Sequence, residues 1–199
     1  MTKFTERQIE IMEAATARID KYGIQNLTIK TLAADINLSE PALYRHFESK
    51  NDILLGVLDY FISDMKNRIK HLPISPSETA GDELRMIFKS QLQTFSNKPA
   101  IVSVIFAESI FHYDEKLSYR VSEIMNLMHE FVKQNMEKGQ KSGQYSELIN
   151  ASILTTILLG GIRMTVLKWK MSGHKSNLIE NGNAIVESVL KMIEKNKPL

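Results

Sequence analysis

The chain of 199 residues contains no cysteine. Disulfides and thiolate metal sites are therefore excluded, and the composition fits a reducing cytosol. Proline and glycine are scarce, at 5 and 9 residues, which disfavours many short strands and tight turns and favours helices. Charge of either sign is not in excess: 25 Lys and Arg against 23 Asp and Glu leave +2. Residues 1–50 are formally neutral, with four Lys and three Arg against seven acids. Bulk charge alone thus points to no polyanionic partner. No run reaches the roughly 18 apolar residues of a membrane span, and Met1 to Glu13 is too polar for a signal peptide. A cytoplasmic protein with no membrane partner is the expectation. The abundant component is apolar side chain, 43%, enough for a sizeable core and against disorder.

Those apolar residues recur at helical spacing. Thr5 with Gln8 reads as a capping box. It opens a helix to Tyr22 with Ile9, Met12, Ala15 and Ile19 facing inward, and Gly23 is its stop. Thr28 caps a second helix whose inward residues are Ile29, Leu32, Ala33 and Ile36. Asn37-Leu38-Ser39 forms a tight turn. Ser39 caps a third, very short helix, in which Pro41 suits the first turn and Leu43 and Phe47, four apart, point inward. Glu40, Tyr44 and Arg45 fall away from that apolar line. A helix of about two turns is marginal alone, so its neighbours must hold it. What it presents is aromatic, basic and hydrogen-bonding. Helix, short turn, short helix is the helix-turn-helix arrangement, whose second helix enters the DNA major groove.

Ser49 caps a fourth helix from Lys50 to about His71, with a wide apolar face from Ile53 to Ile69 that would link the two halves. Pro73 to Ser77 is a break. Five further helices are expected: Ser77 to Ser96, Pro99 to Ile110, Asp114 to Lys141, Glu147 to Ser172, and Ala184 to Glu194, the last preceded by Gly182 or Asn183. The fold class is all-α with about nine helices and no strand. A three-helix DNA-binding domain covers residues 1–50, and a larger helical bundle covers residues 51–199.

The run from Thr28 through Leu32-Ala33 to Leu43-Tyr44-Arg45-His46-Phe47, then to Lys50 and Leu54, resembles the DNA-binding signature of the TetR family of bacterial transcription regulators. The close match spans about the first quarter of the chain; the remainder matches in helix count and length. The resemblance implies a homodimer on double-stranded DNA, at a pseudo-palindromic operator. It implies that Lys30 reaches a base edge, where a lysine can bond guanine O6 or N7; an ordinary solvated lysine is the competing reading. Thr28 could serve a phosphate or act only as a cap. Ser39, Glu40, Pro41 and Ala42 open the recognition helix. Ala42 suits a thymine methyl and Glu40 a cytosine amino group, or Glu40 simply complements the helix dipole. Tyr44, His46 and Lys50 resemble the family's phosphate and backbone contacts, with a partly buried aromatic pair as the plainer account of Tyr44 and His46. Arg45 could serve base or phosphate.

Gly160 and Gly161 lie within an apolar helix, at a cost of roughly 1 kcal/mol each relative to alanine. Close helix approach would compensate, with a local kink as the alternative. In the family that this chain resembles, the last two helices form the dimer interface, so Gly160, Gly161, Met164, Ile185 and Val189 are expected there. Phe61, Met65, Phe88, Phe95, Phe106, Phe111, Met125, Met128, His129 and Trp169 could line an apolar pocket for a small effector, with His112, Tyr113 and Arg163 as further polar candidates. For each of these residues, plain core is the competing reading. The resemblance implies a repressor released when a small, largely apolar ligand changes the spacing of the recognition helices. A second reading is a DNA-bound interaction protein that acts on a partner such as the division machinery. No cofactor or metal is expected: His129-Glu130 lacks the second histidine of a zincin helix. No Gly-rich phosphate loop or nucleophile elbow occurs, so an enzyme is not expected.

Overall fold

Thr5 opens the first helix as its spacing suggests. Its hydroxyl accepts from the Gln8 amide, and the Gln8 side chain accepts from the Thr5 amide. The computed structural model describes residues 4–73, 79–106 and 114–195. Among them lie nine α-helices: α1 (Glu6–Tyr22), α2 (Ile29–Asp35), α3 (Glu40–Tyr44), α4 (Lys50–Lys70), α5 (Ala80–Asn97), α6 (Pro99–Ile105), α7 (Glu115–Lys141), α8 (Ala151–Met171) and α9 (Leu178–Ile193). A 3-10 turn, Ile24–Asn26, joins α1 to the approach of α2. The described residues contain no strand, and a single antiparallel bridge pairs Tyr145 with Glu194.

Contacts divide the chain into two packing units. The first holds Met1–Asn67 and Lys98–Ile124, the second Arg68–Asn97 and Met125–Leu199. The helices α4 and α7 each pass from one unit into the other. The division at residue 50 read from the sequence concerns which helices face DNA, and it is a separate matter from these packing units.

In the first unit, Ile11, Met12, Ala15 and Ile19 of α1 are buried, with Leu32, Ala33, Leu43, Phe47, Ile53, Leu54, Val57 and Leu58. Ile9 is only half-buried, whereas Ile11 is fully so. The buried face of α1 is therefore turned away from Ile9. The neighbouring face, with Glu13 and Asp20, meets α6. The Ser103 hydroxyl donates to the Asp20 carboxylate, and Lys98 lies 4.0 Å from Glu13. Gly23 stops α1 with φ at 80°, a value that suits a residue without Cβ.

In the second unit, α9 packs against both α5 and α8. The expected last helix, Ala184 to Glu194, starts too late. Asn177 is the cap, accepting from the Glu180 amide at 3.1 Å, and Gly182 lies inside the helix. A Cβ at Gly182 would sit 2.4 Å from Leu92 Cδ1, so this glycine lets α5 approach rather than marking a boundary. The helix expected from Glu147 errs in the opposite direction and begins later, where Asn150 accepts from the Ile153 amide at 2.9 Å. The expected starts and ends at Ser77 and Ile110 lie outside the described residues. Arg85 on α5 makes two bonds, 2.7 and 3.0 Å, to Glu187 on α9. Glu83 accepts from Asn135 at 3.0 Å and also pairs with Lys138, tying α5 to α7.

By length and composition, α8 could cross a membrane, with mean hydropathy 1.4 over its most apolar window. Its inner side is the wall of the second core: Leu154, Leu158, Ile162, Val166 and Trp169 are buried. The opposite side leaves Ile153, Ile157, Met164, Leu167 and Met171 exposed.

Tyr145 is buried, and its ring occupies the space over Gly139, where a Cβ would lie 2.1 Å from Cδ2. Its hydroxyl has no hydrogen-bond partner among the described residues, and burial pushes the phenol above its ordinary range. Two outcomes are expected from urea denaturation. Gly139→Ala should destabilise by about 1–3 kcal/mol, because the ring cannot move without strain. Tyr145→Phe should be nearly neutral at pH 7, since it removes an unsatisfied group. A raised folded pKa means stability is fully present below the unfolded value of about 10 and is lost as pH rises beyond it. The wild type should therefore weaken toward pH 11 more steeply than the phenylalanine variant.

Candidate nucleic-acid interface

The turn between α2 and α3 rests on Asn37, whose φ is 52°, a left-handed value that asparagine tolerates better than most residues. The Leu38 amide donates to the Ala33 carbonyl at 2.9 Å, and the Ser39 hydroxyl accepts from the Ala42 amide at 3.3 Å. Leu43 is fully buried and Phe47, just past the helix, is buried too. These two anchors turn the rest of α3 outward. Ser39, Glu40, Pro41, Tyr44 and Arg45 are exposed, while Ala42 and His46 are half-buried. From the neighbouring elements, Thr28 and Lys30 are exposed and Lys50 is half-buried. All ten side chains belong to the first packing unit.

The hydroxyl of Thr28 is already engaged. It accepts from the Thr31 amide at 3.1 Å, and the Thr31 hydroxyl accepts from the Thr28 amide at the same distance. The capping role is therefore complete within the chain. Ser49 caps α4, accepting from the Asp52 amide at 3.2 Å and donating to its carboxylate at 2.7 Å. One residue past Lys50, the Asn51 side chain donates to Asp114 at 2.9 Å. Asp114 in turn caps α7 through the amides of Lys116 and Leu117, and those bonds hold its carboxyl below the usual range.

Three contacts absent from the sequence reading hold this surface in place. Arg18 on α1 grips Asp35 at the end of α2 through two bonds, 2.5 and 3.0 Å, and also reaches the Asn26 carbonyl at 3.3 Å. Hydrogen bonding to that guanidinium holds the Asp35 carboxyl below its ordinary value. Gly56 lets α4 come close: a Cβ there would lie 2.9 Å from Met12 Sδ and 3.2 Å from Phe47 Cε1. The third is Gln8, whose side-chain nitrogen donates to the His46 carbonyl at 3.2 Å. The capping box identifies the local half of the Gln8 interaction. No local pattern announces the other half, or the pairing of Arg18 with Asp35.

The apolar pocket residues divide between the units. Phe61 and Met65 are buried and Phe106 half-buried in the first. Phe88, Phe95 and Trp169 are buried, Met128 and His129 half-buried, and Met125 exposed in the second. Phe111, His112 and Tyr113 lie outside the described residues. A groove of about 330 Å³ in the first unit is lined by Leu55, Asp59, Glu115, Lys116, Tyr119 and Arg120. Another, of about 530 Å³ in the second unit, is lined by Gln134, Glu137, Lys138, Lys141 and Ser142. None of the expected pocket residues lines either one. No cluster of potential metal ligands occurs among the described residues.

Of the expected interface residues, Gly160 and Met164 are exposed, and among the described residues nothing beyond its own stretch of helix lies within 4 Å of a Cβ at Gly160. Gly161 and Ile185 pack on one another, since a Cβ at Gly161 would meet Ile185 Cγ2 at 2.9 Å. Val189 is buried within its own unit and offers almost no surface to a second molecule. The reason is the phase of α9, whose outer edge runs through Met192 instead.

Family models match the chain over two stretches. Bacterial regulatory proteins of the tetR family match residues 11–57, and the C-terminal region of YsiA-like proteins matches residues 56–193. Among curated relatives, the nucleoid occlusion factor SlmA of Photobacterium profundum is 24% identical over 180 residues, covering 90% of this chain and 91% of the relative. Among solved structures, the ketosteroid transcriptional regulator KstR2 of Mycobacterium tuberculosis superposes with TM-score 0.81 at 17% identity, over 98% of each chain. The transcriptional regulator FadR of Bacillus subtilis, in complex with stearoyl-CoA, gives TM-score 0.74 at 20% identity, over 92% of this chain and 97% of that one.

The Arg18–Asp35 pair makes the helix-turn-helix sensitive to acid. A depressed carboxyl contributes stability above its unfolded pKa of about 3.9 and loses it as pH falls through the folded value. Asp35→Asn should therefore lower the urea midpoint more at pH 7 than at about pH 3. Equal losses at both pH values would mean that the pair contributes through packing and not through charge.

Proposed function

Because the chain belongs to the tetR family of bacterial regulatory proteins, we propose that it is a homodimeric repressor whose two recognition helices read an inverted repeat and are released by a small, largely apolar ligand. The observation that carries the DNA reading is the outward presentation of Lys30, Glu40, Pro41, Tyr44 and Arg45 around a short helix anchored by Leu43 and Phe47. In this reading Lys30 and Arg45 supply polar contacts to base edges, and Ala42 an apolar one to a thymine methyl. Tyr44, His46 and Lys50 hold the backbone and set the register without reading sequence. Thr28 contributes its position at the mouth of α2, since its hydroxyl is already engaged in capping.

One short helix reads few base pairs, so a dimer is needed to reach two half-sites about 34–36 Å apart. The exposed side of α8 supports it. Ile153, Ile157, Gly160, Met164, Leu167 and Met171 recur at alternating steps of four and three, the spacing of a helix–helix seam. On α9, Asn181, Ile185, Ser188 and Met192 follow the same steps. Gly160 would admit the partner's helix closely. Ligand release then requires only that the effector bind better to the state whose helices are wrongly spaced. Of the pocket residues named from the sequence, those of the second unit (Phe88, Phe95, Met125, Met128, His129 and Trp169) are the proposed walls, and the stearoyl-CoA complex of the similar FadR structure supports an effector with a long apolar part.

A second reading is favoured by one observation. Relatives carrying the name nucleoid occlusion factor align along nearly the whole chain. In that reading the DNA-bound dimer acts on a protein partner such as the division machinery.

Selection of bound sites from random genomic fragments, followed by footprinting at fixed salt, separates the two. A strong inverted repeat beside one promoter supports the repressor. Many scattered repeats without promoter bias support the interaction protein, and no enriched sequence overturns both. On the selected duplex, Tyr44→Ala and Lys50→Ala should weaken binding to all sequences alike, and Lys50→Ala, which removes a charge, should also lower the salt slope by about one. Lys30→Ala should also relax base preference at one position. Gly160→Arg should shift sedimentation toward monomer, and an unaltered dimer would place the interface elsewhere.

A further inference from the structure

The weakest point of the recognition surface is the far end of α3. The helix is five residues long, its C-cap is Arg45 in right-handed helical geometry, and no glycine closes it. Carbonyls at such an end need donors from outside the helix. Just past that end, the His46 carbonyl accepts from Gln8 at 3.2 Å, across 38 positions of sequence. The Gln8 amide is not free to turn. Its oxygen accepts from the Thr5 backbone amide at 3.0 Å and lies 3.3 Å from the Thr5 hydroxyl. With the oxygen pinned by the capping box, the nitrogen is aimed at His46.

We propose that Gln8 is a positioning residue for DNA recognition, a latch that fixes the end of α3 and with it the orientation of Tyr44, Arg45 and His46. The inference rests on the DNA-binding reading above. Gln8 touches neither base nor phosphate in this role. It acts by joining the first turn of α1 to the turn just past α3, so that the recognition helix is held on both sides: by Ser39 and the Asn37 turn before it, by Gln8 after it. Phe47 anchors the same end through its apolar ring, which fixes depth. The hydrogen bond adds what a ring contact does not supply, a fixed rotation of the carbonyl about the helix axis.

Gln8→Glu separates the latch from the cap. Glutamate at this position completes a capping box as well as glutamine does, but presents an acceptor to the His46 carbonyl. The first readout is amide hydrogen exchange, which needs no DNA: exchange at His46 and Phe47 should quicken while that of the α1 amides stays the same. The second is affinity for the duplex selected from genomic fragments and for a scrambled duplex of equal length. Binding to the selected duplex should weaken about tenfold, with the melting temperature lowered by only a few degrees, the scale of one lost hydrogen bond. The scrambled duplex should be bound nearly as before, because non-specific binding is set by diffuse charge.

Unchanged exchange at His46 and Phe47 overturns the latch, whatever the DNA result. Equal loss on both duplexes assigns the effect to the added negative charge and overturns the positioning role. If the wild type selects no duplex at all, the DNA reading fails and the recognition role of Gln8 with it, while quickened exchange would still mark the contact as real. Gln8→Ala, which removes both bonds, should lower the melting temperature and the affinity together. A loss of melting temperature with full affinity for the selected duplex would leave Gln8 a capping residue only.

Discussion

A helix of five residues cannot stabilise itself. Its nucleation cost is spread over one or two internal hydrogen bonds, and most of its backbone groups look outward for partners. The first packing unit is organised by that constraint. Leu43 and Phe47 fasten α3 to the core, and Ser39 satisfies an amide at its start. Asn37 accepts the left-handed conformation that brings α2 and α3 together. Gly56 removes a side chain so that Phe47 can seat against α4. Arg18 binds α1 to the end of α2, and that fixes where the turn begins. Each of these residues is unremarkable alone. Together they hold a short polar helix at the surface with its apolar side down.

Interactions between near neighbours were legible in the sequence. The caps at Thr5, Thr28 and Ser39, the stop at Gly23 and the inward pair Leu43 and Phe47 follow from spacings of three and four, which the helix imposes on any chain. Interactions between distant residues were not. Gly182 reads as a boundary because glycine weakens a helix; its actual reason is Leu92 on another helix. Ile11 was missed and Ile9 overstated because the rotation of α1 depends on what lies on each side of it. Polar pairings such as Arg18 with Asp35, Gln8 with His46 and Glu83 with Asn135 have no periodicity at all. For the recognition surface, the exposed side of α3 was legible from its apolar side. The means of holding its far end was not.

The helix α8 meets two demands with one sequence. Its buried row builds the second core, and its outer row is just as apolar. Composition alone would describe such a helix as a candidate membrane span. The outer row differs in spacing: its members repeat every three and four residues and include a glycine with open space around it. A lipid-facing surface has no need of such a row. A helix–helix seam does, because small residues and regular steps set how closely two backbones can lie.

The packing of α6 on α1 bears on how regulators of this architecture can be recombined. The bond from Ser103 to Asp20 and the approach of Lys98 to Glu13 make a segment from beyond α5 part of the same core as the helix-turn-helix. The DNA-reading helices are therefore not a detachable cassette. A chimera spliced after residue 50 would join a new sensor to half a core and leave one flank of α1 bare. A functional exchange has to carry residues 98–124 along with the reading head, as two grafted pieces of one module. Lineages that trade reading heads should change those two stretches together and leave the rest of the sensor to drift on its own.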